Sequence, residues 1–287
     1  MKATLHCGKT GSADHNDRQF DPKTTGDHHI DPERMSQNVY RSYKNITPFA
    51  EAEKQYYKDH YMPWVKMQNK KYLAHREKNK LKSINKLLNG KNTRPDEIIL
   101  QIGNHKEHPD GQVFADCVDD FIKSLAMYAT HFHILDIAVH NDEATPHAHI
   151  RAIWDYTDKD GIKKISQGEA LKQLNIELPD PELEESRYNN RKMTFQNEIR
   201  NKWYDICQEH GFEIDRIPDQ TNQMHLTKNQ VIIRDQERKI EELQEQLTQL
   251  ETERMLQQQE LERLEYAIKK RGKQLAQIEY DEQQITR

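Results

Sequence analysis

Long apolar runs are missing from this 287-residue chain. No stretch approaches the roughly 20 residues that cross a bilayer, so no membrane-spanning helix is expected. The opening residues, MKATLHCGKT, lack the apolar stretch of a secretory signal, and a cytoplasmic setting is expected. Cysteine is scarce: Cys7, Cys117 and Cys207 lie far apart, odd in number and without a CxxC pair. That argues against a disulfide framework or a cysteine-built zinc site and fits a reducing compartment. Hydrophobic residues reach only 34%, against 32% charged. Such a chain does not fill one compact core from end to end, so an extended or solvated part is expected beside a globular one.

The net charge of −5 hides a segregation. Residues 1–94 hold 19 Lys and Arg against 10 Asp and Glu, and the remainder holds 24 against 38. Local positive charge, not the total, governs phosphate contacts. Most of the surplus lies in Arg41–Arg94, with 14 basic residues against 4 acidic ones and Tyr56, Tyr57, Tyr61, Trp64 and Tyr72 interleaved. This predicts a basic helical insertion, about 48–90, in which some of the aromatics pack against the sheet while the cations and any exposed rings track DNA; a merely solvated helix face is the alternative.

Residues 2–7 alternate as a short strand, and a polar loop with Gly11, Pro22, Gly26 and Pro32 follows. Helix is expected from Pro48 to Leu88, interrupted near Pro63 and stopped at Gly90. Residues 97–102 (EIILQI) read as strand. Residues 113–129 read as an amphipathic helix with Val113, Cys117, Phe121, Leu125 and Tyr128 on its apolar face. Residues 132–140 and 146–154 form an antiparallel hairpin, and 188–210 a helix ending at Gly211. Strands interleaved with helices predict an α+β domain, an antiparallel sheet with packed helices, over 1–219.

Residues 220–287 have a different character. With Ile233, Ile240, Leu247, Arg254, Leu261, Ile268 and Leu275 at heptad position a, six of seven are apolar. Position d is apolar at five of eight sites: Leu243, Leu250, Leu264, Ile278 and Ile285, but not Gln236, Gln257 or Arg271. This predicts a long coiled-coil helix that forms a homodimer or binds a partner helix. Orientation stays open, although Glu260 and Glu265 repel in a parallel pair.

The chemistry concentrates in HNDEATPHAH, from His140 to His149. Side chains two apart on a strand share a face, so His147 and His149 point the same way. A short turn brings His140 beside them. Three converging imidazoles, with Asp142 and Glu143 close by, predict a divalent-metal site with open positions. Nitrogen ligands favour Mn²⁺ or another transition metal over Mg²⁺.

The run VHNDEATPHAH resembles the third motif of MobV-type (Mob/Pre) relaxases, H-x-D-E-x-x-P-H-x-H. These are HUH endonucleases, named for two histidines that flank one residue, here Ala148. Their first motif, H-x-x-R, is matched by His15-Asn16-Asp17-Arg18, and Ile30-Asp31-Pro32-Glu33-Arg34 resembles the segment leading into the second. There the family has Asn-Tyr before an acidic residue, whereas Asn38 is followed by Val39 and then Tyr40. The resemblance covers about residues 1–215.

It implies that His140, His147 and His149 bind the metal. It makes His15 the nucleophile, Arg18 a phosphate- or DNA-contacting partner, and Glu143 the residue that orients or activates His15. Asn38, Tyr40 and Tyr128 fall at DNA-binding positions. The implied activity is site-specific, metal-dependent nicking and joining of one DNA strand at an origin-of-transfer-like site, through a 5′-phosphate–histidine intermediate. The implied setting is plasmid mobilisation, conjugation or recombination. Two other readings fit the residues alone: a metal-dependent hydrolase with Glu143 as general base, and a non-catalytic DNA-binding protein acting through its coil.

Overall fold

The computed structural model describes residues 1–8, 11–21, 29–216 and 228–285. Pro22 and Gly26 of the expected loop, and the expected boundary at 219 and 220, lie outside them. Backbone contacts divide the chain into two units, Met1–Ile217 and Pro218–Arg287.

The first unit is built on an antiparallel sheet. Its described strands are β1 (Ala3–Gly8), β2 (Val39–Ser42), β3 (Asp96–Ile102), β4 (Phe132–His140), β5 (His147–Thr157) and β6 (Lys163–Ile165). Their order is β1-β3-β5-β4-β2, with β6 on the far end of β5. β5 is central, so alternation along it sends residues into two different layers. Ala148, Ile150, Ala152 and Trp154 join the main core. His147, His149, Arg151 and Ile153 face the other way.

Helices cover both faces. Among them are α1 (Ala13–Asn16), α2 (Phe49–Ala74), α3 (Ile84–Leu88), α4 (Gly111–Tyr128), α5 (Gln167–Gln173) and α6 (Arg191–Glu209). α4 and α6 pack on the main core face, where Phe114 and Phe121 meet the Trp203 ring edge-on at 6.3 and 5.7 Å. The opposite face carries α2, whose Tyr56, Tyr57, Tyr61, Trp64 and Val65 bury against Leu135 and Ile153. α1 sits beside it, with Ala13 packed between Phe49 and Ala138. The second unit contains one described helix, α7 (Lys228–Ile285), of 58 residues.

Four expectations need correction. Val113 is 38% exposed, and the buried face of α4 runs instead through Phe114, Cys117, Val118, Phe121 and Leu125. Pro63 does not interrupt α2. A proline removes one backbone bond, to the residue four before it, and the turns on either side are held here by buried aromatics. Those same rings are not free to stack on bases: Tyr56, Tyr57, Tyr61 and Trp64 are all buried, while most of the lysines are not. Finally, α1 lies within the expected loop, and β2, β6 and α5 carry no periodic signal in the sequence. Elements of three to seven residues are too short to show a period.

Trp203 is fully buried at the junction of α4 and α6. Trp203→Ala is therefore expected to lower unfolding free energy by about 3–5 kcal/mol in urea titrations. Val113→Ser, at the exposed site, should change it by no more than about 0.5 kcal/mol.

Candidate active site

The β4–β5 register sets His140 directly across from His147, with His149 next on the same face. The three ring centroids are 5.0 to 5.1 Å apart. One nitrogen from each lies within 4.8 Å of the others. The remaining nitrogen of each ring is held by a group that only accepts hydrogen bonds. His140 Nε2 donates to the Asn16 carbonyl at 2.7 Å. His147 Nδ1 donates to the Thr145 carbonyl at 3.1 Å, and His149 Nδ1 to Glu97 Oε1 at 3.1 Å.

These partners fix the tautomers and leave lone pairs on His140 Nδ1, His147 Nε2 and His149 Nε2. The first two face each other at 3.4 Å, and the third is buried with no hydrogen-bond partner. Three acceptors aimed at one point are unsatisfied by protein and satisfied by a cation. The donor set therefore fits a divalent metal. Burial, then the neighbouring Arg18 charge, drops the His140 pKa to about 2, and burial also lowers that of His147. The lone pairs of His140 and His147 are thus kept free of protons at neutral pH.

α1 lies over this cluster. The His15 ring stands 6.3 Å from His140 and 6.1 Å from His149, stacked on Phe20 at 5.7 Å. Arg18 Nη1 is 3.4 Å from His15 Nε2. A guanidinium has no acceptor, so this nitrogen presents its lone pair. Arg18 adopts φ 55°, a left-handed conformation that costs a non-glycine residue about 1–2 kcal/mol. The turn folds its buried side chain back onto the β4–β5 loop. Nε and Nη2 clasp both Asp142 oxygens at 2.9 and 2.8 Å, and Nη2 also reaches Glu143 Oε1 at 3.0 Å. Burial would raise the Asp142 pKa, but the bonds from Arg18 and Asn38 hold it below the ordinary value.

The other expected residues divide. Asn38 Oδ1 accepts from the Asn141 and Asp142 amides, while its Nδ2 donates to Asp142 Oδ2 at 2.7 Å and to the Tyr40 hydroxyl at 3.0 Å. The Tyr40 ring meets His140 edge-on at 6.4 Å. Burial raises its phenol pKa, which keeps the hydroxyl protonated. Glu143 accepts from Arg18, with His147 Nε2 3.8 Å away. Tyr128 belongs elsewhere: it stacks on Phe195 across the sheet, with Lys202 over its ring at 4.8 Å. The structure does not bring it to the histidines.

Three contributors were missed by sequence reasoning. Glu97 orients His149 and takes a bond from Asn16 Nδ2 at 2.9 Å. Asn16 orients His140 through its carbonyl. Arg34 donates to the carbonyls of Asn141 and Glu143, bracing the loop from outside. Asn16 lies inside the matched His15–Arg18 run and Arg34 ends the matched segment 30–34, so both carried a signal. Glu97 opens an apolar strand and gave none.

No family profile and no curated protein matches the chain. Among solved structures, it resembles the Mn-bound crystal structure of the MobM relaxase domain (MOBV; Mob_Pre) bound to plasmid pMV158 oriT DNA at pH 6.8. The TM-score is 0.50, with 16% identity over 80% of this chain and 97% of that one. The fold is that of a MOBV relaxase domain. A second Mn-bound structure of the same domain, at pH 5.5, gives 0.48, with 17% identity over 80% and 98%.

Two outcomes are expected. Glu97→Ala removes the acceptor that sets the His149 tautomer, and should weaken Mn²⁺ affinity about 10- to 100-fold by titration calorimetry. The second concerns pH. His140 and His147 have folded-state pKa values below the ordinary 6.5, so below about pH 6.5 the unfolded chain takes up protons that the folded chain does not. Without metal, stability should therefore fall as pH drops from 7 to 5, by up to about 1.4 kcal/mol per unit for each ring. His140→Gln should flatten the urea-midpoint profile over that range.

Proposed function

We propose that this protein nicks and rejoins one strand of DNA at a specific site, with His15 as nucleophile and His140, His147 and His149 as ligands of a divalent metal, Mn²⁺ in preference to Mg²⁺. The observation that carries the reading is the convergence of three lone-pair nitrogens beneath a fourth, uncoordinated imidazole backed by Arg18. A MOBV relaxase domain of the same fold is Mn-bound on oriT DNA, which supports DNA as substrate and manganese as cofactor.

When bound, the metal polarises the phosphoryl oxygens and offsets charge that builds up during displacement. The chain's own residues do the rest. The His15 lone pair attacks the scissile phosphorus; a nitrogen–phosphorus bond forms and the bond to the 3′ oxygen breaks. The other ring nitrogen of His15 then releases its proton, and the departing oxygen takes up one from solvent and leaves as a 3′-hydroxyl. Arg18, held by Asp142 and Glu143, keeps its charge beside His15 and the phosphate. Rejoining is the reverse step and consumes no nucleotide, because the phosphoramidate retains the energy of the broken ester.

Asn38 and Tyr40 border the site and are proposed to contact DNA, and Tyr128 to do so at a separate place. The exposed lysines of α2 are proposed to add sequence-independent attraction. The first unit, about residues 1–219, is read as the nicking domain. The second is read as a coiled coil that joins two copies, and plasmid or mobile-element mobilisation as the process served.

The decisive measurement is the chemical nature of the protein–DNA link. With Mn²⁺ and a single-stranded oligonucleotide, a covalent adduct should form, vanish in mild acid and survive alkali, as a phosphoramidate does. His15→Ala should form none, Tyr40→Phe should still form it, and excess chelator should abolish it. An acid-stable adduct that persists in His15→Ala moves the nucleophile to a tyrosine. Unattached nicks released with turnover point to a hydrolase using Glu143, and intact DNA to a non-catalytic binder.

A further inference from the structure

Helix α7 holds a row of large apolar side chains in water. Leu243, Leu247, Leu250, Leu261, Leu264 and Ile268 are all at least half exposed, at successive a and d positions. The row is broken once, by Arg254 and Gln257. An apolar seam of this length calls for a second helix, and the order of residues along it indicates which.

The seam reads nearly the same in both directions. About the midpoint between Met255 and Leu256, Leu250 mirrors Leu261, Leu247 mirrors Leu264, Leu243 mirrors Ile268, and Arg254 mirrors Gln257. Every mirrored pair joins an a position to a d position. Layers of that kind belong to antiparallel pairs, because parallel pairs stack a on a and d on d.

Charge separates the two arrangements further. Parallel self-pairing places Arg254 against its own copy inside the seam, does the same for Arg271, and sets Glu260 against Glu265 on the flank. Like charges in a core layer act against that alignment. In the antiparallel register Arg254 meets Gln257 of the second copy, twice, at two adjacent central layers. Glu253 then meets Glu260 of the second copy, with the Arg254 guanidinium beside them to offset the repulsion. The next pair outward, Ile240 with Arg271, is mismatched and closes the apolar stretch.

We infer that α7 pairs with α7 of a second copy in antiparallel orientation, with the two-fold axis between Met255 and Leu256. The inference deepens the self-association read above and does not depend on the nicking chemistry. At a rise of 1.5 Å per residue, the two Lys228 ends lie about 80 Å apart, at opposite ends of the paired rod.

Full-length Leu250→Cys and Leu261→Cys chains, one of them carrying a size tag, are oxidised separately and as a mixture. Unsubstituted protein is the control: its Cys117 and Cys207 are buried, and burial holds the Cys7 thiol up at about 11. A disulfide requires Cα atoms within about 4.4–6.8 Å, which only facing positions offer. The mixture should give a tagged–untagged disulfide at least about tenfold more abundant than either chain gives alone. Leu250→Cys or Leu261→Cys linking efficiently to itself overturns the antiparallel register, as does a dimer in which no combination links. Unsubstituted full-length chain sedimenting as a monomer at about 50 µM overturns self-association altogether. Each of these outcomes leaves the adduct assay with His15 unaffected, so the two readings fail separately.

Discussion

The buried pairing of Arg18 with Asp142 holds the catalytic region in one piece. It ties the end of α1 to the β4–β5 loop across 124 residues of sequence. Neither partner tolerates burial alone, since an uncompensated charge in such a place costs several kcal/mol. Together they satisfy each other with two parallel bonds, the geometry in which guanidinium and carboxylate bind most strongly. The clasp is shared by the His15 turn on one side and by Asn38 and Arg34, which hold the same loop, on the other. The left-handed turn at Arg18 is the local cost of bringing the two groups together.

Around the clasp, the sheet sorts its side chains by alternation. The same central strand supplies Ala148, Ile150 and Ala152 to an apolar core and His147, His149 and Arg151 to a polar layer. A rigid, fully paired strand therefore sets the spacing of the imidazoles. Their protonation is set by three acceptors from three different segments: a loop carbonyl, a helix-end carbonyl and a carboxylate on β3. Burial does the remaining work by holding His140 and His147 neutral.

Much of this was legible in the residue order, and the rest was not for physical reasons. The hairpin and the shared face of His147 and His149 follow from period-two alternation between turn signals, which needs only local information. Placing His140 opposite them needs only a short turn. The roles of Glu97 and Asn16 were invisible because they arise from a register between strands 52 residues apart and from the docking of a four-residue helix. The basic segment misled in a different way. Interleaved tyrosines and lysines in a helix are compatible with an exposed aromatic face, but the sheet beneath α2 offered Leu135 and Ile153 as partners, and the rings went inward. Val113 stands one position away from the buried stripe, and Phe114 and Cys117 fit the helical period equally well.

Asn16 touches both halves of the site at once. Its carbonyl fixes His140, and its amide braces the carboxylate that fixes His149. It is also the residue next to His15. One backbone segment therefore serves both the proposed ligand cluster and the proposed nucleophile, and on that reading the two occupancies would be linked. Whatever steadies α1, including a strand seated against His15, also steadies two of the three ligands. By reciprocity, an ion held by the three histidines would then tighten the grip on such a strand by the same factor.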